Sequence, residues 1–575
     1  MGPFSVTGQP NAMGGREVGA LANQLAAHMD FAEEHRALVQ TFWQAPSIPT
    51  GAGLKAVDLF AAAAKGAVKA IWIMATNPVV SMPNTEIVKQ ALKKCELVIV
   101  SDCVRSTDTT AYAQVLLPAL AWGEKEGTVT NSERRISRQR AFLNAPGEAK
   151  ADWWILSQVA QRLGYASHFN YRSVADIFRE HAALSGYQNS GTRDFDLSGL
   201  AQLSDETYQT LKPIQWPVPL ASASKKEDFL DPEGTPRFFS DKPFYTVTGK
   251  AQFVPTIPRL PPHLPDSELP LILNTGRIRD QWHTMTRTGK VARLLSHIAE
   301  PYVEIHPHDA RVAQINEGSL VQVTSRQGQL VARARVSEAQ QIGNIFVPMH
   351  WNLQTASCAK VNALVMSVTD PLSGQPEFKH TPVRIAPYQA AWQGFILSKQ
   401  PISLPTDHIN YWVNIFSGDC WRYELAGETA PSDWTAWVRE HLGSESEWLE
   451  YQDRATGRYR SASIMAGRLA ACIFIGQDEH LPSRGSLITF FAKDSLTTTE
   501  RLNLLTGEPT QGQIDRGETV CSCFSVGRNT LIKAIREQGL TTPAQISELL
   551  KAGSNCGSCI PELKALIAEL SSAPT

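Results

Sequence analysis

The chain has 575 residues, of which 43% are hydrophobic and 19% charged, as is usual for a globular protein with several domains. Its 54 lysine and arginine residues nearly balance 56 acidic ones, so the net charge of −2 excludes a general attraction to nucleic acid or membrane. No window is apolar enough for a transmembrane helix, and the first residues lack a secretory signal. These features predict a cytoplasmic protein with no nucleic-acid or membrane partner.

Residues 2–20, GPFSVTGQPNAMGGREVGA, form a glycine- and proline-rich loop that leads into a helix predicted to start near Arg16. Helix N-termini favour acidic residues, so an arginine at this place is unusual. Arg16 is therefore either a solvated residue of the first helical turn or a cation kept for a functional reason.

Residues 54–165 alternate helical and strand patterns, which predicts a parallel α/β layer. The predicted elements are helix 54–65, strand 70–74, helix 87–94 and strand 97–100. Asn77 follows the first strand, and Ser101 and Asp102 follow the second. Open α/β sheets bind nucleotides at such strand ends. Because no G-x-G-x-x-G motif is present, a plain nicotinamide site is disfavoured.

A charged run begins at Glu124 and contains Lys125. Asp152 stands at the start of a helix predicted to run to Leu163, where an acid also serves as a helix cap. Residues 166–265, with two proline-rich stretches, are interpreted as a connecting region.

Residues 266–388 are rich in strand patterns. Strands are predicted at 320–324, 330–336 and 345–348, with a hairpin turn at Arg326-Gln327-Gly328. The stretch LPLILNTGRIRDQWHTMTRT starts this region with a short apolar strand and a turn dense in large polar side chains. Arginine, tryptophan, amide and hydroxyl groups together suit an anionic, planar cofactor, although an ordinary strand followed by a polar turn is the alternative.

Residues 389–515 form an accessory module with a predicted hairpin at 459–465 and 468–474. The last module carries C-x-C at Cys521 and Cys523 and C-x-x-C at Cys556 and Cys559, with two amphipathic helices predicted between them, 526–538 and 543–550. Four cysteines at this spacing suit a zinc ion, a [2Fe–2S] cluster or, less well, free thiols. The other five cysteines have no ligand-like spacing and are interpreted as structural thiols.

Several of these segments carry a family resemblance. SVTGQPNAMGGREVG, WGEKEGTVTNSERR, APGEAKADWW and TGRIRDQWHT resemble the molybdopterin oxidoreductases of the dimethyl sulfoxide reductase superfamily, in particular its nitrate reductases. VCSCFSVGRNTL and GSNCGSC resemble the bacterioferritin-associated-ferredoxin-like [2Fe–2S] domain, which favours that cluster over zinc. The resemblance covers residues 1–388 and 516–566.

The resemblance implies an α/β protein, with a parallel-sheet dinucleotide-binding layer followed by a β-barrel pterin-binding domain and a small helical [2Fe–2S] domain. The implied domains are the C-terminal part of the molybdopterin oxidoreductase α/β domain (1–165), the connecting region (166–265), the barrel (266–388), the accessory module (389–515) and the [2Fe–2S] domain (516–566).

The resemblance also implies site residues. Arg16 is expected beside the substrate, and His350 is a weak candidate because it lies where the family has a cofactor-facing aromatic residue, although it is equally suited to be a core histidine. The expected [2Fe–2S] ligands are Cys521, Cys523, Cys556 and Cys559. The expected contacts of a molybdenum bis(molybdopterin guanine dinucleotide) are Gln9, Asn77, Ser101, Asp102, Lys125, Asp152, Thr275, Gly276, Arg277, Gln281, Trp282, His283, Thr284, Asn362 and Lys379.

The implied function is that of the catalytic subunit of a bacterial assimilatory nitrate reductase, which reduces nitrate to nitrite. Electrons are expected to enter at the [2Fe–2S] cluster from an NADH-dependent reductase subunit, ferredoxin or flavodoxin. A [4Fe–4S] cluster and the molybdenum ligand are expected upstream of Met1, which is then an internal methionine or the edge of a truncated sequence. The alternatives are a formate dehydrogenase-like molybdoenzyme and a non-catalytic iron–sulfur electron-transfer protein.

Overall fold

The structure is a computed structural model that describes residues 11–220, 234–235, 237–239, 244–255, 257–405, 407–443, 446–477, 481–507 and 516–572. The chain divides into two compact units. The first contains residues 1–76, 95–105 and 113–259, and the second contains residues 77–94, 106–112 and 260–575. Among the helices in the described ranges, none combines the length and the apolar character needed to cross a membrane.

The helices are α1 (Ala12–Glu17), α2 (Glu33–Trp43), α3 (Ala56–Ala64), α4 (Pro78–Ser81), α5 (Thr85–Lys94), α6 (Asp152–Ala160), α7 (Val174–Gly186), α8 (Asp205–Thr210), α9 (Ala292–Leu295), α10 (Pro307–Val312), α11 (Trp434–Leu442), α12 (Arg484–Ile488), α13 (Thr498–Thr506), α14 (Arg528–Gln538), α15 (Pro543–Leu550) and α16 (Ile560–Ser572). The strands are β1 (Ala70–Met74), β2 (Leu97–Asp102), β3 (Val115–Pro118), β4 (Gly127–Thr130), β5 (Arg135–Gln139), β6 (Ile214–Gln215), β7 (Leu271–Gly276), β8 (Tyr302–Ile305), β9 (Leu320–Thr324), β10 (Gln329–Val336), β11 (Asn344–Pro348), β12 (Thr381–Pro387), β13 (Trp392–Ser398), β14 (Tyr411–Phe416), β15 (Trp421–Gly427), β16 (Glu447–Asp453), β17 (Arg458–Met465), β18 (Arg468–Gly476), β19 (Thr519–Cys521) and β20 (Val526–Gly527).

The first unit contains a parallel sheet in the order β1-β2-β3, which confirms the predicted parallel α/β layer. Strand β2 continues through Ser101 and Asp102, so the prediction that it ends at Val100 was wrong. These two residues stay extended because they pair with Leu117 and Pro118 of β3. A separate antiparallel sheet, β4-β5-β6, packs with α7 and α8 around an apolar core that includes Phe195.

The second unit is organised around a closed six-stranded barrel in the order β10-β8-β11-β7-β12-β9, which confirms the predicted β-barrel. Strand β7 runs parallel to β11 and antiparallel to β12, so it is paired on both sides. Alternate residues of β7, such as Leu271 and Leu273, belong to the apolar core of the barrel. The predicted hairpin between β9 and β10 is also present.

The accessory module is a six-stranded antiparallel sheet in the order β14-β15-β13-β18-β17-β16, and it includes the predicted hairpin as β17 and β18. Successive residues of β13 contribute to two different cores. Phe395 and Leu397 pack in one, and Ile396 packs in the other. Because side chains alternate across a strand, both faces of this sheet are covered.

The cysteine module, residues 516–572, consists of β19, β20 and helices α14 to α16. Leu531, Ile546 and Leu563 are fully buried in a core of its own. Helix α15 has the predicted bounds, whereas α14 begins at Arg528 because Val526 and Gly527 form the short strand β20. The structure therefore confirms a small helical domain at this end of the chain.

Candidate cofactor-binding site

Helix α1 carries Arg16 in its last turn, so the prediction that a helix starts near this residue was wrong. A cation in the last turn is favoured by the helix dipole, which strengthens the ordinary structural interpretation of Arg16. The side chain is exposed. Gln9, another expected contact, lies outside the described residues.

Glu17, next to Arg16, fixes this helix in place. Its side chain is only 3% exposed, and its two carboxylate oxygens accept hydrogen bonds from Thr130 Oγ1 and Trp216 Nε1, each at 2.7 Å. Burial raises the pKa of Glu17, while the hydrogen bonds from Thr130 and Trp216 oppose that change. Sequence reasoning missed Glu17, because an acid beside an arginine gives no signal of burial.

Ser101 and Asp102 are both buried at the carboxyl end of β2. Ser101 Oγ accepts a hydrogen bond from Trp72 Nε1 at 2.8 Å, and Asp102 Oδ1 accepts one from the backbone N–H of Val104 at 3.0 Å. Both side chains therefore have structural partners at the sheet edge where open α/β sheets bind ligands.

Lys125 and Asp152 form an ion pair, with Nζ 2.8 Å from Oδ2. Asp152 is the first residue of α6, but its side chain caps no backbone group of that helix. Its second oxygen, Oδ1, is buried without a hydrogen-bond partner among the described residues. A buried acceptor left unpaired costs about 1–3 kcal/mol, so this oxygen is a place where a bound polar group would be stabilised.

In the second unit, the expected contacts concentrate in residues 276–285, which we call the arginine-rich turn. Three of its non-glycine residues, Asp280, His283 and Met285, have positive φ angles of 70°, 43° and 58°. Such backbone conformations persist only when the surrounding structure fixes them.

His350 fixes this turn from beneath. Its ring is fully buried, Nδ1 lies 2.6 Å from the carbonyl oxygen of His283, and Nε2 accepts a hydrogen bond from the N–H of Ile278 at 2.9 Å. Since a carbonyl can only accept, the proton is on Nδ1 and the ring is neutral. Burial lowers the pKa of His350 to about 4, which agrees with that state. His350 is thus a core histidine that holds the turn.

The polar side-chain groups of Gln281 and Thr284 form hydrogen bonds to other parts of the second unit. Gln281 accepts a hydrogen bond from Thr288 Oγ1 at 2.8 Å and donates to the carbonyl of Leu294 at 3.0 Å. Thr284 Oγ1 accepts from Asn77 Nδ2 at 3.4 Å. The structure therefore brings the expected residues Asn77 and Thr284 into contact, while Gln281 bonds to Thr288 and Leu294.

The side chains of Arg277, Trp282 and His283 pack against one another. The Arg277 guanidinium lies 5.3 Å from the centre of the Trp282 ring, and the Trp282 and His283 rings are 4.4 Å apart at nearly right angles. Trp282 is 36% exposed, so part of its ring is free to stack on a planar ligand. Burial, and to a smaller extent Arg277 and Arg287, lower the pKa of His283.

Lys379 packs against the end of β7, where Thr275 and Gly276 lie. Lys379 Nζ donates a hydrogen bond to the carbonyl of Thr275, and a Cβ atom at Gly276 would lie 3.3 Å from that Nζ and from Phe346. Burial, followed by the nearby Arg277, lowers the pKa of Lys379. Within the part of the chain that the structure describes, the Thr275 hydroxyl is buried without a hydrogen-bond partner, on the same face of β7 as Leu271 and Leu273.

Asn362 is also buried, and its Nδ2 donates to the carbonyls of Val80 and Ser81 at 3.0 and 2.8 Å. Its amide nitrogen therefore holds the end of α4, while its Oδ1 is buried and has no hydrogen-bond partner among the described residues. Sequence reasoning missed Lys360, two residues earlier, whose Nζ is also buried with no hydrogen-bond partner in the described ranges. Burial lowers the pKa of Lys360 to about 8.

In the cysteine module the four expected ligands form two pairs. Cys523 Sγ lies 3.4 Å from Cys556 Sγ. Cys521 contacts Cys559, and this contact, after burial, raises the pKa of Cys559 to about 11. Across the described ranges, no group of three or more histidine, cysteine or acidic side chains is arranged to hold a single metal ion. Two thiol pairs suit two iron atoms better than one zinc ion, because each iron of a [2Fe–2S] cluster takes two cysteines, whereas one zinc ion needs all four around itself.

Two residues of the arginine-rich turn point to the cysteine module and not to the expected cofactor. Arg279 donates a hydrogen bond to the carbonyl of Val520 at 2.8 Å and forms an ion pair with Glu562 at 3.3 Å. Asp280 Oδ2 accepts a hydrogen bond from Ser522 Oγ at 2.8 Å. Neighbouring residues of one sequence motif therefore have different structural partners, and Arg279 and Asp280 have theirs in the cysteine module.

Comparison with known families agrees with this division. Residues 6–162 match the molybdopterin oxidoreductase family, residues 271–382 the molydopterin dinucleotide binding domain, and residues 519–569 the BFD-like [2Fe-2S] binding domain. The structure and these matches together define a protein that carries a molybdenum–pterin cofactor and a [2Fe–2S] cluster. The chain therefore contains segments that match the molybdopterin oxidoreductase family, the molydopterin dinucleotide binding domain and the BFD-like [2Fe-2S] binding domain.

Three curated proteins are similar to this chain in sequence. The nitrate reductase of Klebsiella oxytoca is 45% identical over 567 residues, which cover 99% of this chain and 63% of the relative. The assimilatory nitrate reductase catalytic subunit of Bacillus subtilis is 34% identical, covering 67% of this chain and 51% of the relative. The F420-dependent formate dehydrogenase subunit alpha of Methanocaldococcus jannaschii is 35% identical, with 66% and 51% covered. The chain thus spans between 51% and 63% of the length of these relatives.

Proposed function

We propose that the protein is the catalytic subunit of an assimilatory nitrate reductase. The reaction is NO₃⁻ + 2e⁻ + 2H⁺ → NO₂⁻ + H₂O. The molybdenum cofactor supplies the oxygen-atom transfer, while residues of this chain hold the cofactor, orient nitrate and receive electrons. The similarity to a nitrate reductase along 99% of the chain supports nitrate as the substrate.

The observation that carries this proposal is the contact between the arginine-rich turn and the cysteine module within one unit. A reductase needs a centre that accepts electrons one at a time and delivers them to its molybdenum site. A module with two thiol pairs that packs against a cofactor-binding turn is suited to this task. A non-catalytic iron–sulfur protein would have no use for the two segments that match molybdopterin proteins, residues 6–162 and 271–382.

For the cofactor we propose the bis(molybdopterin guanine dinucleotide) form, with the full set of expected contacts from Gln9 to Lys379. Asp152 Oδ1 supports this assignment because, among the residues that the structure describes, it is a buried acceptor without a hydrogen-bond partner. Arg277 and Trp282 provide a cation and a partly exposed ring for an anionic, planar group. We also propose a [4Fe–4S] centre, for which the family resemblance is the support.

For the electron supply we propose a separate NADH-dependent reductase subunit, ferredoxin or flavodoxin in the cytoplasm. Each of these donors carries single electrons, which matches the one-electron capacity of a [2Fe–2S] cluster. Two successive transfers then provide the two electrons that nitrate requires.

The competing function is formate oxidation, which the similarity to the formate dehydrogenase subunit favours. Purified, cofactor-loaded full-length protein, with the upstream region that is expected to supply the molybdenum ligand, distinguishes the two. With reduced methyl viologen it should form one nitrite for every two viologen radicals oxidised. With formate and oxidised viologen it should show no formate-dependent reduction. Formate oxidation without nitrite formation would reverse the assignment.

Arg16 is proposed as the cation that attracts nitrate. A charge-assisted hydrogen bond is worth about 1.5–3 kcal/mol, so Arg16→Ala should lower kcat/KM for nitrate by roughly ten- to a hundredfold. Arg16→Lys should lose less, because it keeps the charge without the planar fork. Molybdenum and iron contents should not change in either variant. Wild-type kinetics for Arg16→Ala would leave only the helix-end role that its place in α1 already explains.

A further inference from the structure

The four cysteines of the cysteine module differ in their access to solvent. Cys521 and Cys559 are each 2% exposed and belong to the apolar core of the module, together with Leu563. Cys523 is half-buried and Cys556 is exposed. We call Cys521 and Cys559 the inner pair, and Cys523 and Cys556 the outer pair. The cluster site therefore has one face toward the core and one face toward solvent.

Each pair suits one iron atom. Two thiolates bound to one tetrahedral metal at about 2.3 Å lie roughly 3.8 Å apart. The outer sulfur atoms are 3.4 Å apart, and the inner sulfur atoms also contact each other. The residues of this site therefore provide an inner and an outer iron position with different surroundings.

Two polar side chains contact the sulfur atoms of the outer pair. Asn555 Nδ2 donates a hydrogen bond to Cys523 Sγ at 3.4 Å, and Ser558 Oγ lies 2.9 Å from Cys556 Sγ. Because a metal-bound thiolate carries no proton, the Ser558 hydroxyl is the donor in the loaded protein. Hydrogen bonds to sulfur and exposure to solvent both adjust the potential of an iron–sulfur cluster. Here both stabilise the more negative charge of a reduced iron at the outer pair.

The surroundings of the inner pair do not favour added negative charge. Its neighbours in the core are apolar, and an apolar environment destabilises charge. Arg279 lies on this side, since it donates a hydrogen bond to the carbonyl of Val520, but its charge is offset. Asp280 lies 3.5 Å and Glu562 3.3 Å from the Arg279 guanidinium. His297 contacts both acids, so even a protonated His297 only balances the second carboxylate.

We propose that Asn555 and Ser558 place the accepted electron on the iron held by the outer pair, which makes this pair the point where electrons enter. The inference deepens the proposed function, because it rests on electron entry at the [2Fe–2S] cluster. The step is Fe³⁺Fe³⁺ + e⁻ → Fe²⁺Fe³⁺, with the electron supplied by a one-electron donor protein and without formation or cleavage of a bond. Asn555 and Ser558 are positioning residues, since they act on the iron through the cysteine sulfur atoms.

The first measurement identifies which iron is reduced. The 575-residue chain contains all four cysteines, so it is reconstituted anaerobically with isotopically enriched iron and sulfide and then reduced with dithionite. Mössbauer spectroscopy resolves the Fe²⁺ and Fe³⁺ components of the reduced cluster. Ser558→Ala should change the spectrum of the Fe²⁺ component and leave the Fe³⁺ component as in the wild type. A change confined to the Fe³⁺ component would assign the electron to the inner iron and overturn the proposal.

The midpoint potential gives a second readout. Asn555→Ala and Ser558→Ala each remove a donor that stabilises the reduced state, so the ratio of reduced to oxidised cluster at a fixed potential should fall roughly three- to tenfold. This corresponds to a midpoint potential about 30–60 mV lower for a one-electron couple. Ser558→Thr keeps the hydroxyl and should recover most of the loss. Wild-type midpoint potentials in both alanine variants would contradict the proposal.

Ser554→Ala is the matched control. Ser554 lies in the same loop, but its hydroxyl donates to the carbonyl of Lys551 at 2.7 Å. Its replacement should leave the midpoint potential and both Mössbauer components unchanged. Equal potential shifts in Ser554→Ala and Ser558→Ala would show that the loop as a whole, and not the sulfur contact, sets the potential, which refutes the proposed role of Ser558.

These outcomes are separable from a failure of the proposed function. Neither nitrate nor molybdenum takes part, so a wrong substrate assignment leaves the results unchanged. Iron and acid-labile sulfide are measured first on every variant. Stoichiometric zinc without sulfide would refute the [2Fe–2S] cluster itself, and this inference with it.

Discussion

The cysteine module and the arginine-rich turn contact each other, but they differ in how well their sequence motifs indicate the task of each residue. In the module, the residues that the motif singles out are the ones that meet, as two thiol pairs. In the turn, the motif mixes residues with different tasks. Gln281 and Thr284 build the framework, Arg277 and Trp282 face outward, and Arg279 holds the neighbouring module. A short motif can therefore identify a site without telling which of its residues contact the ligand.

The largest expected effect is the loss of the [2Fe–2S] cluster, and it tests the cysteine module. Cys523→Ser removes one member of a thiol pair and should abolish the [2Fe–2S] cluster, because a hydroxyl is a poor ligand in place of a thiolate. Iron and acid-labile sulfide, measured on the intact protein, should fall to background. Cys358→Ser, outside both pairs, is the control and should keep the full content. Stoichiometric zinc without sulfide in the wild type would instead support a zinc site.

The next effect tests the framework of the turn. His350→Ala leaves the N–H of Ile278 and the carbonyl of His283 unpaired in a buried place, so the free energy of unfolding should fall by about 2–5 kcal/mol. Chemical denaturation measures this change. His306→Ala, which removes only a helix cap at α10, should cost about 1 kcal/mol. Equal losses in the two variants would show that His350 does not fix the turn.

The same histidine gives a pH dependence. Burial holds the pKa of His350 near 4, below its ordinary value of 6.5, so the unfolded chain binds the proton more readily than the folded one. Its contribution to stability is complete above pH 6.5 and decreases as the pH falls from 6.5 toward 4. The stability difference between wild type and His350→Gln should therefore shrink in this window.

The smallest expected effect concerns Asp152, which combines a framework contact with an unpaired oxygen. Its ion pair with Lys125 is partly exposed, so Asp152→Asn should change the free energy of unfolding by less than about 1 kcal/mol. If Asp152 also binds the cofactor, the molybdenum and pterin contents should fall while stability does not. Glu447→Gln, which breaks a comparable ion pair with Arg501 in the accessory module, should leave both contents unchanged. Unchanged cofactor content in Asp152→Asn would limit this residue to its ion pair.

Much of the fold could be predicted because it depends on local patterns. The strand β9 and the helix α15 have the predicted bounds, since alternation of apolar residues and turn formers are written in the sequence. The four cysteines were recognisable because metal ligation requires few residue types at restricted spacing. The errors lie at element ends. Helix α1 begins at Ala12, earlier than predicted, and β2 runs further because Ser101 and Asp102 pair with β3.

By itself, the sequence predicted the parallel sheet, the barrel and the small helical module, and it singled out the four cysteines that the structure brings together in pairs. Only the tertiary structure decided the task of each polar side chain. His350 was ambiguous until its two backbone partners were visible, and Glu17 and Lys360 gave no signal of burial. Arg279 reaches Val520 and Glu562, which are far away in sequence. The physical reason is that patterns and spacings encode local geometry, whereas hydrogen-bond partners and desolvation arise when distant segments pack together.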